Sequence, residues 1–467
     1  MIFDQLEKYG EATALIEESG KEWSFAQLVA EADNMAGFME KRGVAFLLCR
    51  NCASAVTAYV GALRHGVVPL LLNGEIQDEL LAQLLTTYHP KYLWMEAGRQ
   101  AAKGTVLYSD GNYQLWDTGE ERYPIHDDLA VLLSTSGSTG SPKLVRQSYQ
   151  NIMANTSSIV EYLSLTSKDR AITTMPMYYT YGLSIIQTQL FVGGSVVLTD
   201  ASMFARGFWE MLKKHEVTNF GGVPYTYEML KRMRFGRMDL PSLRFITQAG
   251  GKLAASLSAE FAKACDGKGI KFVTMYGACE ATARMACLPW EYAQSKAGSI
   301  GIAIPEGRLA IMDDSGVEIT APDIDGELIY YGDNVTLGYA ECQTDLNKGD
   351  DNHGVLHTGD IARRDSDGFY YITGRKKRFL KLFGNRVSLD AVEAYLKSQG
   401  HLFCACAGAD DKLVVYTTED IDAKELCLKL GEFTHLHSSA FAVVKVEEIP
   451  RNSSGKILYE RLKGLGV

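Results

Sequence analysis

The first part of this chain alternates helix-like and strand-like segments, and that alternation restricts the folds open to it. Trp23 to Glu40 and Ala53 to Arg64 carry apolar residues at near-helical spacing. Ala45 to Cys49 and Val67 to Leu72 are short apolar runs typical of strands. Strands that alternate with helices pair in parallel through crossover connections. The pattern therefore predicts an α/β fold built on parallel sheets.

The pattern changes from Gly326 onward. Short apolar segments separated by turns, GELIYYGDNVTLGY and DGFYYITGR, predict an antiparallel or barrel-like section. We expect a boundary near Gly374, because six basic residues fill Arg375 to Arg386 and SLDAVEAYL then begins a helix with Ser388 as its N-cap. The predicted units are a large domain over 1–374, a hinge and basic loop over 375–385, and a small C-terminal domain over 386–467.

Length, charge and cysteine content exclude several classes of protein. The chain of 467 residues is too long for one compact core, and its net charge of -10 argues against a general nucleic-acid binder. Its first residues, MIFDQLEKYG, do not resemble a signal peptide, and no run of about 18 apolar residues occurs. We therefore expect a cytoplasmic protein without membrane insertion. Nine cysteines, an odd number, suit reduced thiols rather than a disulfide framework.

A strand candidate, Leu129 to Leu133, leads directly into the segment TSGSTGSPK. Glycines allow the backbone to approach an oxyanion, hydroxyls donate hydrogen bonds, and the final lysine adds positive charge. Ser141 and Pro142 separate the last glycine from the lysine, so this is not a Walker loop. The segment predicts a nucleotide phosphate site, with a flexible turn as the alternative. Its candidate ligands are Thr135, Ser136, Gly137, Ser138, Thr139, Gly140 and Lys143.

This segment and four later ones resemble the family of adenylate-forming enzymes that contains acyl-CoA synthetases, firefly luciferase and the adenylation domains of peptide synthetases. The resemblance covers nearly the whole chain, in the family's order and approximate spacing. The later segments are MPMYYTYGL at Met175 to Leu183, YGACEAT at Tyr276 to Thr282, HTGD at His357 to Asp360 with GRKKRFLKLFGNR from Gly374, and PRNSSGK at Pro450 to Lys456.

The resemblance implies a reaction in two steps and a domain arrangement to match. A carboxylic acid is adenylated with ATP and Mg²⁺, which releases pyrophosphate, and is then passed to a phosphopantetheine thiol on coenzyme A or an acyl carrier protein. A small, mobile α+β C-terminal domain carries the catalytic Lys456. It turns about Lys377, which brings the loop from Lys381 to Gly384 to the site for the thiol step. Thr135, Lys143 and Glu280 complete the implied catalytic set.

Roles at the nucleotide also follow from the resemblance. Tyr276 lies against the adenine, followed by the close-approach Gly277, and the pair Gly250 and Gly251 lies beside the adenine and the acyl carboxylate. Asp360 accepts the ribose hydroxyls, Arg375 donates to ribose or phosphate, and Glu280 holds the Mg²⁺ ion, for which a carboxylate oxygen is a suitable ligand. Cys279 stands where threonine is usual, and a thiol is a weaker donor than a hydroxyl.

The acyl pocket is expected around Tyr179, Tyr181, Gly182 and Gly251. Amino-acid-activating relatives carry an aspartate where this chain has Tyr179, and many acyl and aryl relatives carry histidine. An ammonium group would lack a counter-charge here, so an uncharged acyl or aryl tail is favoured. Core packing is the alternative role for the tyrosines.

Other activities stay open from the sequence. They are transfer of the acyl group to an amine, oxidation of the adenylate, a degenerate homologue that only binds nucleotide or carrier protein, and a Walker-type NTPase.

Overall fold

The computed structural model describes residues 2–99, 104–134, 143–376, 378–401, 403–451 and 457–462. The strands in this part are β1 Thr13–Glu17, β2 Glu22–Ser24, β3 Val44–Cys49, β4 Val68–Asn73, β5 Tyr92–Glu96, β6 Thr105–Ser109, β7 Tyr113–Asp117, β8 Leu129–Ser134, β9 Leu144–Ser148, β10 Arg170–Ile172, β11 Ser195–Leu198, β12 Asn219–Gly222, β13 Phe245–Gln248, β14 Lys271–Tyr276, β15 Ala286–Leu288, β16 Ile302–Ala303, β17 Arg308–Met312, β18 Gly326–Tyr331, β19 Tyr339–Ala340, β20 Val355–Arg364, β21 Tyr370–Arg375, β22 Phe379–Leu382, β23 Asn385–Ser388, β24 Cys404–Ala409, β25 Lys412–Thr417 and β26 Phe441–Lys445. The α-helices are α1 Phe25–Ala36, α2 Ala53–Arg64, α3 Asp78–Tyr88, α4 Tyr149–Leu163, α5 Thr180–Val192, α6 Arg206–Lys214, α7 Pro224–Arg232, α8 Ala255–Asp266, α9 Leu389–Ser398, α10 Ala423–Thr434 and α11 Tyr459–Leu462.

Two large sheets form the body of the molecule. One has the order β16-β15-β14-β13-β12-β10-β11-β1-β2, and the other has the order β19-β9-β8-β4-β3-β5-β7-β6. Their central strands pair in parallel, whereas the strands toward the edges pair antiparallel. The predicted α/β fold with parallel sheets is confirmed.

The core between the two sheets is filled by helices. Every residue of α2 from Ala53 to Leu63 is buried, as expected for a helix that packs on all sides. A Cβ on Gly61 would lie 2.4 Å from the Ala32 carbonyl oxygen of α1, so these two helices approach closely because a glycine stands at the contact.

One predicted helix was too long. The segment from Trp23 to Glu40 was expected to be helical throughout, but Glu22–Ser24 is strand β2, paired with β1. The helix begins only at Phe25, because the Ser24 side chain accepts a hydrogen bond from the Gln27 backbone and the Gln27 side chain accepts one from the Ser24 N–H. It ends at Ala36, next to Gly37.

The section after residue 300 contains the antiparallel sheet that the sequence predicts. Its order is β17-β18-β20-β21, with all neighbours antiparallel. The last pair places Asp360 directly opposite Arg375. Two residues that are distant in sequence therefore meet at the edge of this sheet.

The C-terminal residues have a hydrophobic core of their own. Hairpin β22-β23 and sheet β24-β25-β26 pack with α9 and α10 around buried side chains such as Leu382, Val392, Leu413 and Leu430. Ser388 caps α9 as predicted, since its Oγ accepts the Ala391 N–H at 3.2 Å. A separate core agrees with the predicted small α+β domain, while its boundaries and its mobility stay predictions. No helix of the described residues is long and apolar enough to span a membrane.

Candidate active site

Asp360 is the centre of the predicted nucleotide side of the site. Its carboxylate, on a residue only 7% exposed, accepts a hydrogen bond from the Tyr276 hydroxyl at 2.5 Å and another from Arg375 Nε at 2.9 Å. Burial, and next the charge of Asp360, raises the pKa of Tyr276 well above its usual value, so the phenol stays protonated and donates. The Arg375 side chain is 63% exposed and can reach a ligand.

The chain turns sharply after Tyr276. A Cβ on Gly277 would lie 1.8 Å from the Ala283 carbonyl oxygen, so only glycine fits this position. The close approach predicted for Gly277 is therefore an approach to the chain's own backbone. The next residues form a short 3-10 helix, Cys279–Ala281, which carries Glu280.

Tyr339 connects Glu280 to Lys143, a link that the sequence did not reveal. The Tyr339 hydroxyl donates to Glu280 Oε1 at 2.6 Å, and Lys143 Nζ lies 3.9 Å from the centroid of the Tyr339 ring. Lys143 also lies 3.4 Å from the Glu341 carboxylate. Because β19 pairs with β9 directly after Lys143, the sheet fixes Tyr339 beside this lysine. The predicted metal ligand and the predicted phosphate lysine are thus neighbours.

Several predicted residues lie outside the described part of the chain. They are Thr135, Ser136, Gly137, Ser138, Thr139 and Gly140 of the phosphate segment, together with Lys377 and Lys456. Their roles stay predictions.

The side chains present suit Mg²⁺ held together with a substrate. Glu280 offers one carboxylate, of which Oε1 already accepts from Tyr339. The described residues contain no group of three or more His, Cys, Asp or Glu side chains that could enclose a metal ion by themselves. Mg²⁺ is usually bound through one or two carboxylates plus phosphate oxygens and water. Glu280 therefore fits a metal that arrives with ATP.

The predicted acyl pocket begins at Tyr179, the residue that precedes α5. A Cβ on Gly250 would lie 2.8 Å from the Tyr179 hydroxyl, and Gly250 has a φ of +81°. Glycine is thus needed there for both space and backbone conformation. Burial, followed by the nearby Cys279, raises the pKa of Tyr179, so Cys279 lies close to this tyrosine. Gly251 packs against Pro224, 3.1 Å from the position of a Cβ.

Tyr181 and Gly182 have structural contacts in addition to any contact with substrate. The Tyr181 hydroxyl is buried and lies 2.9 Å from the Thr247 carbonyl oxygen and 2.7 Å from its Oγ1. A Cβ on Gly182 would lie 2.3 Å from the Pro176 carbonyl oxygen. The core-packing alternative therefore holds for Tyr181.

Arg284 is a pocket residue that the sequence reading missed. It is 3% exposed, and its guanidinium carbon lies 4.0 Å from the centroid of the Tyr181 ring. Nη2 donates to Ser184 Oγ at 3.1 Å and Nη1 to the Ala283 carbonyl at 3.3 Å, and both partners are neutral. Nε has no hydrogen-bond partner among the residues that the structure describes.

A strained turn separates Glu280 from Arg284. Thr282 has φ +63° and ψ -63°, and the Ala283 N–H bonds the Ala281 carbonyl at 2.7 Å. These are the marks of a γ-turn, a rare conformation that costs on the order of 1–3 kcal/mol in a residue other than glycine. Thr282 Oγ1 donates to the Asn334 carbonyl at 2.7 Å, which helps to hold the turn.

The loop predicted to serve the thiol step, from Lys381 to Gly384, is a tight hairpin. Phe383 and Gly384, between β22 and β23, both have positive φ, as a type I′ turn requires. The Lys381 N–H bonds Asp410 and the Phe383 N–H bonds Asp411, each at 3.0 Å. The hairpin is therefore attached to the C-terminal core.

Comparisons with known proteins agree with this fold. The AMP-binding enzyme family model matches residues 2–340. Oxalate–CoA ligase of Arabidopsis thaliana is 30% identical over 381 residues, covering 76% of this chain and 71% of that protein. 2-Succinylbenzoate–CoA ligase of Bacillus licheniformis is 30% identical over 468 residues, covering 94% of each. Among solved structures, o-succinylbenzoate CoA synthetase from Bacillus subtilis, in complex with the acyl-adenylate OSB-AMP, has a TM-score of 0.82 at 25% identity, covering 99% of this chain and 97% of that chain.

The chain belongs to the AMP-binding enzyme family. Within it, the chain is an adenylate-forming acyl-CoA synthetase, an ATP-dependent ligase that joins a carboxylic acid to a thiol. The family resemblance seen in the sequence is confirmed.

Proposed function

We propose that this enzyme activates a small carboxylic acid without an α-amino group and transfers it to coenzyme A. The observation that carries the proposal is the segment 276–284. It holds Tyr276 on Asp360, Glu280 beside Tyr339 and Lys143, and Arg284 beside the tyrosines of the predicted acyl pocket. One short piece of chain thus reaches the places where nucleoside, phosphates and acid would lie.

Asp360 is suited to bind the ribose. Each carboxylate oxygen accepts one hydrogen bond from the protein, and a carboxylate has about four acceptor positions. Two therefore stay available for the ribose hydroxyls, and Tyr276 and Arg375 hold the group in place. The exposed guanidinium of Arg375 lies where it would also meet a phosphate oxygen.

Glu280 and Lys143 are suited to the phosphates. Mg²⁺ held by Glu280 would neutralise phosphate charge, and Lys143 would bind the leaving pyrophosphate. In the first step a carboxylate oxygen of the acid attacks the α-phosphorus, and the bond to the β-phosphate breaks. Lys456 would stabilise the negative charge that develops on the α-phosphate, where a donor acts most strongly.

The second step needs a thiol. Its sulfur attacks the acyl carbon, the bond to the phosphate oxygen of AMP breaks, and the thiol proton passes to solvent. Two relatives are named as CoA ligases, which supports coenzyme A over a carrier protein. The hairpin from Lys381 to Gly384 would move with the C-terminal core and reach the site by rotation about Lys377.

The acid is expected to lack an ammonium group. The predicted acyl pocket would contain the buried cation of Arg284, whose hydrogen-bond partners among the described residues are neutral. A substrate ammonium placed here would meet a like charge and have no counter-ion, which costs several kcal/mol. The relatives described above are named for different acids, so their names do not identify the acyl group that this enzyme activates.

A product assay tests the proposal. The enzyme is incubated with ATP, Mg²⁺ and a panel of aliphatic, aromatic and amino acids, and nucleotide and phosphate products are separated. We expect AMP and pyrophosphate in equal amounts, only in the presence of an acid, and an acyl-CoA thioester when coenzyme A is added. ADP or inorganic phosphate as the first product would refute the proposal. A thioester formed only with a phosphopantetheinylated carrier protein would refute the choice of coenzyme A.

A further inference from the structure

Arg284 lies on the wall of a cavity, and none of the site residues predicted from the sequence lines that cavity. The cavity measures about 20 Å³, and its walls include Leu163, Ser184, Thr188, Thr247 and Arg284. A cavity needs about 10–15 Å³ to hold a water molecule, so this one has room for a group of about that size. The space beside Arg284 therefore admits a small terminal group of a ligand but not a long aliphatic chain.

The cavity adjoins the predicted entrance of the acid. The Tyr181 ring contacts both side chains, since the Arg284 guanidinium carbon lies 4.0 Å from its centroid and the Tyr179 ring is 6.5 Å from it, centroid to centroid. Tyr179 in turn lies against Gly250, where the reacting carboxylate is expected. An acid that enters past Tyr179 would therefore have its far end near Arg284.

The environment of Arg284 is incomplete for a buried cation. Arg146, which is also buried, shows the usual solution, since it donates to the Asp351 carboxylate at 2.6 Å and to the carbonyl oxygens of Leu337 and Tyr339. Within the described ranges of the chain, Arg284 has only neutral partners, and its Nε has none. A buried charge without a counter-ion is costly, which favours an anion supplied by a ligand.

The backbone of Arg284 is fixed in place. Its carbonyl oxygen accepts from Asn155 Nδ2 at 2.9 Å and from Asn334 Nδ2 at 2.8 Å, and both asparagines are buried. The strained turn at Thr282 directly precedes it. Such a turn persists where its surroundings over-determine it, and strained residues of this kind concentrate at functional sites. A rigid cation on a cavity wall is well organised for recognition.

We infer that Arg284 binds a second anionic group at the far end of the acid, so that the substrate is a short dicarboxylic acid. This inference rests on the proposed function and names the substrate class. It changes the expectation of an uncharged tail, which came from residues 175–183 alone. The guanidinium presents donors in a fork that matches a carboxylate, and Ser184 holds one side of that fork.

The test uses pairs of acids that differ only in charge at the far end. Malonate, succinate and glutarate are each compared with their half-amides, in which a neutral amide replaces the second carboxylate. Acid-dependent pyrophosphate release gives kcat/KM for each acid. For wild type we expect at least one dicarboxylate to exceed its half-amide by about tenfold or more. Arg284→Gln should remove that preference, with a loss of about 10- to 100-fold for the dicarboxylate and little change for the half-amide.

Arg284→Lys keeps the charge and should restore part of the preference, which separates charge recognition from packing. As a second readout, dicarboxylates without ATP should raise the melting temperature of wild type and Arg284→Lys but not of Arg284→Gln. Equal losses for both members of a pair in Arg284→Gln, or a wild-type preference for the half-amides, would overturn the inference. Failure of every acid, including monocarboxylates, to release pyrophosphate would refute the proposed function instead.

Discussion

The hydrogen bond from Tyr276 to Asp360 gives a sharp test of the nucleotide site. Tyr276→Phe removes one hydroxyl and keeps the ring. The bond is short, at 2.5 Å, and its acceptor is a carboxylate that is 7% exposed. Hydrogen bonds to charged groups contribute about 1.5–3 kcal/mol. If Asp360 must be held to accept the ribose, we expect the same energy in ATP binding, a 10- to 100-fold increase of the KM for ATP, since about 1.4 kcal/mol corresponds to a factor of ten.

The measurement is the initial rate of acid-dependent pyrophosphate release as a function of ATP concentration. The KM for the acid should change little, because Tyr276 is predicted to contact the nucleotide and not the acid. Tyr371→Phe is a matched control, since Tyr371 also donates to an aspartate, Asp365, at 3.3 Å on the far part of strand β21. It should leave both KM values as in wild type. An unchanged KM for ATP in Tyr276→Phe, or an equal increase in Tyr371→Phe, would refute the role given to Asp360.

Three further predictions concern the phosphates, the mobile lysine and the contact between the domains. Glu280→Gln should lower kcat by about 10²–10³-fold, the usual effect of losing a group that acts on transition-state charge. Extra Mg²⁺ should restore part of that kcat. The control is Glu341→Gln, which changes a carboxylate beside Lys143 and should keep kcat within about threefold of wild type. Lys456→Ala should slow adenylate formation by a similar factor while thioester synthesis from supplied acyl-adenylate continues, and equal loss of both half-reactions would contradict the two-conformation mechanism. Burial raises the pKa of Glu228 above its usual 4.5, and the carboxylate lies 3.8 Å from Lys397 of the C-terminal domain. A raised pKa means that the stability contributed by this group is present below pH 4.5 and is lost as the pH rises through the folded-state pKa. Glu228→Gln should therefore have a higher melting temperature than wild type at pH 7, and the difference should vanish toward pH 4.

What the sequence predicted well depends on local pattern. The helix Ala53 to Arg64 and the strand at Leu129 follow from apolar periodicity within a dozen residues, and both are confirmed. The error at Trp23 arose because a strand of three residues, Glu22–Ser24, carries too little pattern to be separated from the helix behind it. Its pairing with β1 is a tertiary contact, which periodicity does not report.

The parts of the site that were missed depend on contacts between distant residues. Tyr339 is 59 residues away from Glu280, and nothing around it in the sequence marks it as a partner. Arg284 stands in ATARMACL, an otherwise small and apolar stretch, and reads like the edge of a strand. Its charge is the one signal in the sequence, because an arginine just before a buried strand is rarely buried without a partner.

Tyr339 and Arg284, the two residues that the sequence did not reveal, draw attention to the segment 276–284, which is rigid. Gly277 is pressed against Ala283, and the turn at Thr282 is tied to Asn334, so the positions of Glu280 and Arg284 are fixed relative to each other. In a rigid segment, an anion that orients the acid at Arg284 also sets how far its reacting carboxylate lies from the phosphates near Glu280. Misplacement by about 1 Å can cost on the order of 10²-fold in rate. An acid of the wrong length should therefore lose kcat as well as affinity, so selection for tail length in this enzyme is expected in the chemical step and not only in binding.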